Sequence, residues 1–171
     1  LQMGDGAAAV LLGPDDGGPG PFISTAYFGQ CTNPPAPGLR LCAGASDQVA
    51  AGSGANLFEH DASGVAQHGL FLLEAGRAVL AEAGFSAAHA SMVVPHQASG
   101  AVAPWLARQW GLASSQVCAH GARVGNLGSA SIWAALDDVL STHSKRQASA
   151  PILFLGAEAT QYSYGGFVLE F

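Results

Sequence analysis

Short apolar runs alternate with helical patterns through the second half of the chain, and this alternation most constrains the fold. Strands are predicted at 90–96, 116–119 and 152–156, with helices at 100–110 and 127–141 between them. The second helix carries apolar residues at the i, i+3, i+4, i+7 and i+8 spacing of a helix that lies on a sheet. Such alternation predicts a parallel α/β sheet, with a final strand at 165–171 antiparallel at its edge.

The first half of the chain divides into segments of different composition. Apolar runs at 7–12 and 22–28 flank a turn cluster and predict an antiparallel strand pair. The next segment is rich in Gly, Pro and Ala, which predicts a connecting loop that covers a functional or partner surface. A wide apolar stripe over 57–84 predicts a long, largely buried helix. We therefore divide the chain into a strand pair at 1–28, a loop at 29–56 and an α/β region at 57–171.

Charge is scarce in this chain. Only 11% of the 171 residues are charged and the formal net charge is -6 at pH 7, which excludes a basic nucleic-acid footprint. No apolar run approaches the ~20 residues of a membrane-spanning helix, and the first residues lack the basic start of a secretory signal. Three cysteines, Cys31, Cys42 and Cys118, are too few and too irregularly spaced for a disulfide framework. A cytoplasmic protein is therefore expected.

Polar residues of catalytic type follow one predicted strand and precede one predicted helix. His96 closes the strand at 90–96, and Asn126 lies directly before the helix at 127–141. Because α/β sheets bind ligands beyond the carboxyl ends of their strands, the imidazole and carboxamide N–H groups could converge on one oxygen atom as an oxyanion site. The alternative is that His96 is an ordinary hydrogen-bonded residue and Asn126 a cap or turn residue. The other histidines lack metal-ligand spacing, so no metal site is predicted.

Four segments resemble a known family in order and spacing. GDGAAAVLL, VVPHQAS, GNLGSASIWAAL and YSYGGFVLEF are similar to GDGAGAVVL, VPHQAN, GNTSAASIPLAL and FTWGSALVRF of the β-ketoacyl-acyl-carrier-protein synthase III family. The resemblance covers nearly the whole chain and corresponds to the C-terminal half of that family, within the thiolase-like superfamily. It implies an αβαβα fold in a homo- or heterodimer, to which this chain supplies the C-terminal half and the last strand pair of the N-terminal half.

The same resemblance implies a chemistry. The family joins an acyl group, carried on CoA and then on an active-site cysteine, to a malonyl-carrier thioester with loss of carbon dioxide. His96 and Asn126 would then donate hydrogen bonds to the thioester oxygen and stabilise the enolate. Gln97, Ser99 and Gln161 would contact the substrate. Acyl-CoA and acyl carrier protein are the implied partners, and neither a metal nor a further cofactor is implied.

Three departures from the family pattern bear on function. None of the cysteines matches the nucleophile, which belongs to the family's N-terminal half, so an acyl-enzyme requires that half or a companion chain. HQANxR becomes HQASGA, which replaces the Asn and Arg of the CoA and carrier contacts by Ser99 and Ala101. A triple glycine aligns with ATQ at 159–161. Three alternatives stay open: a non-catalytic thiolase-like partner subunit, acyl transfer to an alcohol or amine with His96 as general base, and a thioester-binding module.

Overall fold

A mixed sheet of four strands is the centre of the fold. The computed structural model describes residues 3–14, 17–18, 20–32, 36–42, 57–143 and 150–171. Its strands are β1 (Phe22–Gln30), β2 (Leu39–Cys42), β3 (Leu57–His60), β4 (Met92–Pro95), β5 (Ile152–Glu158) and β6 (Ser163–Glu170). The sheet has the order β1-β6-β5-β4, in which β4 and β5 are parallel and β6 is antiparallel to both of its neighbours. β2 and β3 form a separate antiparallel pair.

Helices cover both faces of this sheet. They are α1 (Ala62–Glu82), α2 (Val102–Trp110), the single turn α3 (Gly121–Val124) and α4 (Ser131–His143). Leu153 and Leu155 of β5 pack with α1 and α2, whereas Phe154 packs with α4. Because successive strand residues face opposite sides, both faces of β5 are buried, which explains its continuous apolar sequence.

The ends of α1 are fixed by local hydrogen bonds. The Asp61 carboxylate caps the first turn by accepting a hydrogen bond from the Gly64 N–H at 2.9 Å. At the other end Gly84 adopts a positive φ of 90°, and the Phe85 N–H donates to the Leu80 carbonyl oxygen at 2.8 Å. This glycine-terminated ending returns the chain towards β4.

The strand pair predicted for the first segment is wrong. Residues 4–14 form no strand, and Leu11 and Leu12 are 97% and 67% exposed. β1 pairs instead with β6, because a strand needs a partner for its backbone groups and no described strand pairs with 7–12. The predicted boundary at residue 28 falls inside β1, which shares its sheet with strands of the 57–171 region.

Two further predictions differ from the structure. The helix predicted from residue 57 begins at Ala62, since Asp61 caps it and the four preceding residues form β3. The strand predicted at 116–119 is reduced to one bridge between Val93 and Val117, after a 3-10 turn at Ser114–Gln116. The loop predicted at 29–56 is not entirely irregular, because β1 continues to Gln30 and residues 39–42 form β2. Residues 43–56 lie outside the described residues. The structure confirms the remaining predicted elements, with bounds that differ by a few residues: the strands β4, β5 and β6 and the helices α2 and α4.

Candidate active site

The carboxyl ends of β4 and β5 form the sheet edge at which the candidate residues lie. Pro95, the last residue of β4, pairs with Leu155 of β5. One residue further, the backbone N–H of His96 donates to the Leu155 carbonyl oxygen at 2.7 Å. This hydrogen bond holds the half-buried His96 directly beyond the sheet, where the sequence predicts it.

Burial and a nearby carboxylate act in opposite directions on the pKa of His96. Burial disfavours the imidazolium and lowers the pKa of His96, and this effect outweighs the charge of Glu158, which raises it. Glu158 is the exposed last residue of β5, and its Oε1 accepts a hydrogen bond from the Thr160 N–H at 2.7 Å. The imidazole is therefore neutral near pH 7 and can donate from one ring nitrogen. Sequence reasoning missed Glu158, although an acidic residue directly after a buried apolar strand was a usable signal.

The carboxamide of Asn126 is oriented by its own loop. Its Oδ1 accepts hydrogen bonds from the Gly128 N–H at 2.9 Å and from the Ser131 hydroxyl at 3.3 Å. Two donors occupy both lone pairs of the amide oxygen, so Nδ2 is left as the donor, and no described residue accepts from it. Ser131 is 1% exposed and also accepts from the Leu127 N–H at 2.8 Å. Its place at the start of a helix, five residues after Asn126, was the missed signal.

Gln97 is hydrogen-bonded to backbone groups on both sides, and the substrate contact predicted for it stays a prediction. The side chain is 3% exposed, and its Nε2 donates to the carbonyl oxygens of Pro95 at 2.6 Å and Cys118 at 3.3 Å. Its Oε1 accepts from the Gly121 N–H at 2.8 Å. Both ends of the amide are thus used by backbone groups, and Gln97 ties the loop after β4 to the start of α3.

Ser99 and Gln161, the other two residues predicted to contact substrate, lie in different loops. The Ser99 Oγ accepts from the Ala101 N–H at 3.3 Å, in the turn that leads into α2. Gln161 is exposed in the connection between β5 and β6, and its carbonyl oxygen accepts from the Gln30 side chain at 3.3 Å. Their contact with substrate stays a prediction.

The turn between β5 and β6 carries its unusual backbone conformation at Tyr162. Among the described non-glycine residues only Tyr162 has a positive φ, 47°, so the preceding Ala-Thr-Gln segment avoids the left-handed region. Tyr162 is 1% exposed, and its ring meets the His68 ring edge-on at a centroid distance of 5.0 Å. Its burial offsets the cost of this conformation, about 1–2 kcal/mol.

The loop that carries His96 packs against the turn that leads to Asn126. Besides the Gln97–Gly121 hydrogen bond, a Cβ placed on Gly100 would lie 3.2 Å from Ala122. The two candidate residues thus lie on loops in contact with each other. Convergence of their N–H groups on one oxygen atom stays a prediction.

An ion-pair cluster joins α3 to α4 next to this site. Arg123 donates to the Asp138 carboxylate at 2.5 Å, and the His120 Nδ1 lies 3.5 Å from the same oxygen. The hydrogen bond from Arg123 is the main reason that the pKa of Asp138 is lowered. Within the described ranges, no three His, Cys, Asp or Glu side chains are grouped so that they could hold a metal ion.

Away from these loops, a cleft of about 370 Å³ lies near Arg77 and Trp110, beside the C-terminal end of α1. None of the predicted site residues lines it. In the part of the chain that the structure describes, no helix has both the length and the apolar character to cross a membrane.

Comparisons with known proteins agree with the fold and the motifs. The family model for the C-terminal part of 3-oxoacyl-[acyl-carrier-protein] synthase III matches residues 80–171. β-Ketoacyl-[acyl-carrier-protein] synthase III of Chlamydia muridarum is 30% identical over 176 residues, which cover 99% of this chain and 52% of that protein.

Solved structures of the same class are also similar. 3-Oxoacyl-(acyl carrier protein) synthase III of Pseudomonas aeruginosa superposes with a TM-score of 0.69 at 25% identity, over 87% of this chain and 45% of its own. The Thermus thermophilus synthase III gives 0.68 at 21% identity, over 87% and 46%. The tetronic acid condensing enzyme AbyA1 gives 0.68 at 20% identity, over 88% and 47%.

This chain therefore spans about half the length of the relatives it matches. The α/β, thiolase-like fold class predicted from the sequence is confirmed by these structural neighbours. With the family model matching more than half of its residues, the chain belongs to the β-ketoacyl-acyl-carrier-protein synthase III family.

Proposed function

We propose that this chain supplies the enolate-stabilising part of an acyl-thioester condensing enzyme. The acyl group is carried on a cysteine in the region of the relatives that this chain does not span, and it is joined to a malonyl-carrier thioester. As carbon dioxide leaves, His96 and Asn126 donate hydrogen bonds to the thioester carbonyl oxygen. Acyl-CoA and acyl carrier protein are the substrates, and the working form is a cytoplasmic dimer that needs no metal.

The observation that carries the proposal is the one-sided use of the Asn126 carboxamide. Gly128 and Ser131 both donate to its Oδ1, so the two N–H groups of Nδ2 are the remaining donors, and no described residue accepts from them. An enolate oxygen requires donors that are already in place when the negative charge develops. His96 fits the same requirement, because burial lowers its pKa and keeps the imidazole neutral with one N–H.

The remaining residues have supporting roles in this proposal. Gln97 is a positioning residue, because its amide holds the His96 loop on α3. Ser99 and Gln161 lie in loops next to the same strand ends and are proposed to contact the pantetheine part of the thioester. The family match and the Chlamydia relative, whose name states a β-ketoacyl synthase, support a condensing reaction.

The test uses the assembled enzyme, defined as this chain together with the cysteine-bearing region, in one polypeptide or as two. Release of labelled carbon dioxide from malonyl-carrier is measured for the wild type, His96→Ala, Asn126→Ala and Asn126→Asp. Each variant is expected to lose about 10²–10³-fold in rate, the usual effect of removing an oxyanion donor. Asn126→Asp keeps the acceptor for Gly128 and Ser131, replaces the N–H donors by a negative charge, and should therefore lose at least as much rate as Asn126→Ala.

His89→Ala is the matched control, because His89 is exposed in the connection before β4 and should leave the rate unchanged. Wild-type decarboxylation in both His96→Ala and Asn126→Ala would refute the assignment. Mass spectrometry after acyl-CoA treatment separates the rival function. Acyl adducts on another chain alone, with activity indifferent to His96, would make this chain a non-catalytic partner subunit.

A further inference from the structure

We infer that Glu158 and His96 act together as a general-base pair that transfers an acyl group from a thioester to a neutral hydroxyl or amine. This activity uses the same sheet edge as the proposed condensation and rests on that proposal for the acyl-thioester donor. It adds an acceptor class and a residue with no role in the condensation.

The first support is the position of the two residues in the sheet. His96 follows β4 and Glu158 ends β5, and these parallel strands are paired up to Pro95 and Leu155. Val94 and Phe154, which precede them by two and four residues, both pack on the α4 side of the sheet. Since side chains alternate along a strand, His96 and Glu158 continue on that same side. The Asn126 loop leads into α4, so it borders this side as well.

The second support is that the Glu158 carboxylate is held in place. Its Oε1 accepts the Thr160 N–H at 2.7 Å, within the turn that leaves β5. Among the described residues no ion pair within 4.0 Å joins His96 and Glu158, so the interaction that we infer between them is a longer-range electrostatic one. The charge of Glu158 raises the pKa of His96 against the opposing effect of burial. Of the charged groups on the neighbouring α3 and α4, Arg123 is paired with Asp138, whose carboxylate also lies 3.5 Å from the His120 ring, and Asp137 is exposed.

A general base at this position needs such a carboxylate. When the imidazole of His96 takes a proton it becomes a half-buried cation, and burying a charge is costly unless it has a partner. A fixed negative charge at the same edge lowers that cost. For the condensation, by contrast, His96 stays neutral and only donates an N–H. Glu158 would repel the carboxylate of a malonyl acceptor, whereas a hydroxyl or neutral amine carries no charge to repel.

The proposed step balances without an oxidant or reductant. A lone pair of the acceptor oxygen or nitrogen attacks the thioester carbonyl carbon while His96 takes the O–H or N–H proton. Asn126 Nδ2 donates to the carbonyl oxygen as it becomes negative. The C–S bond then breaks, and the leaving thiolate takes the proton from the imidazolium. The products are an ester or amide and a free thiol.

The test compares two acceptors on the assembled enzyme. Hexanoyl-CoA is supplied with malonyl-carrier or with the neutral acceptors 1-butanol and hydroxylamine, and β-ketoacyl, ester and hydroxamate products are measured. Glu158→Gln keeps an amide oxygen for the Thr160 N–H and removes only the charge. Ester and hydroxamate formation should fall about tenfold or more, because a general base contributes about 10²–10⁴-fold and loses part of this without its partner. Condensation should be unchanged or faster.

Two controls keep this result interpretable. Glu82→Gln removes an exposed carboxylate from the last turn of α1 and should change neither reaction. NMR titration of labelled histidines should show a lower pKa for His96 in Glu158→Gln and no change in Glu82→Gln. Equal melting temperatures of both variants and the wild type show that the fold is kept.

Each outcome separates this inference from the proposed function. If Glu158→Gln leaves ester and hydroxamate formation unchanged, or slows both reactions equally, the inference is wrong while the condensation stands. If the neutral acceptors are acylated in a Glu158-dependent manner and malonyl-carrier is not, the condensation proposal fails and the inference stands. If neither acceptor reacts, both are wrong.

Discussion

Replacement of Gln97 by leucine tests whether this side chain braces the site. Leucine is close to glutamine in size but has no polar atoms, so the change removes three hydrogen bonds from a position that is 3% exposed. The Gly121 N–H loses its acceptor, and the Pro95 and Cys118 carbonyl oxygens lose a donor. In the variant, the side chain at position 97 no longer connects the loop after β4 to the start of α3 by hydrogen bonds.

The expected loss of stability follows from these three groups. A buried donor left without a partner costs about 1–3 kcal/mol, and each hydrogen bond lost by a carbonyl about 0.5–1.5 kcal/mol. For the carbonyls the lower half of their range applies, because a carbonyl oxygen that lacks one hydrogen bond is tolerated better than an N–H without an acceptor. Together they predict a decrease of about 3 kcal/mol in the free energy of unfolding.

Equilibrium unfolding in urea measures this decrease, with Gln116→Leu as the matched control. The Gln116 amide donates to the carbonyl oxygens of Ala87, Ala88 and Ala90, at the opposite end of β4 from His96. Because it accepts no buried N–H and only its three carbonyl partners lose a hydrogen bond, its replacement should cost about 2 kcal/mol, less than Gln97→Leu. Only Gln97→Leu should also slow carbon dioxide release by the assembled enzyme.

Two results would refute the bracing role. One is a decrease of less than about 1 kcal/mol for Gln97→Leu, since the orphaned Gly121 N–H alone should cost that much. The other is an equal loss of activity in Gln97→Leu and Gln116→Leu, which would show that activity follows general stability and not the contact between the two loops.

Three further changes have defined outcomes. Ser131→Ala removes one of the two donors that orient Asn126 and the acceptor of the Leu127 N–H, so we expect a loss of about 2 kcal/mol in urea unfolding and a slower reaction. Gly166→Ala places a Cβ against a backbone carbonyl of β5, so little folded protein should be recovered and its melting temperature should fall. Asp138→Asn should lower the melting temperature at pH 7 by the small amount typical of an exposed pair. Because Arg123 lowers the pKa of Asp138, this contribution is present above the ordinary carboxyl pKa and is lost as the pH falls through the lowered value, so the variant and wild type should converge in acid.

The parallel strands β4 and β5 could be predicted from the sequence because they are largely buried on both faces. β5 is a continuous apolar run, and burial of alternate residues on α1–α2 and on α4 requires that composition. The same reasoning failed at 7–12, where an equally apolar run is exposed and forms no strand. Apolar composition indicates that a segment favours burial, but it does not identify the strand edge with which the segment pairs.

For the candidate site, the sequence could predict where residues lie along the secondary structure, whereas their roles stay predictions. His96 and Asn126 stand at a strand end and before a helix, and both are at those places in the structure. Glu158 stands after an apolar strand, but its effect on His96 depends on the pairing of β4 with β5, which the sequence alone does not give. Ser131 lies five residues after Asn126 at the start of a helix, so its local position could have identified it.

Gln97 and Asn126 carry the same functional group, and their hydrogen bonds separate their roles. Gln97 uses both the oxygen and the nitrogen of its amide in hydrogen bonds to the backbone. Asn126 uses only its oxygen, and the two donors that bind this oxygen also fix the direction of the nitrogen. A donor that stabilises developing charge must be oriented before the reaction and must lack an internal partner. Asn126 meets both conditions and Gln97 meets only the first.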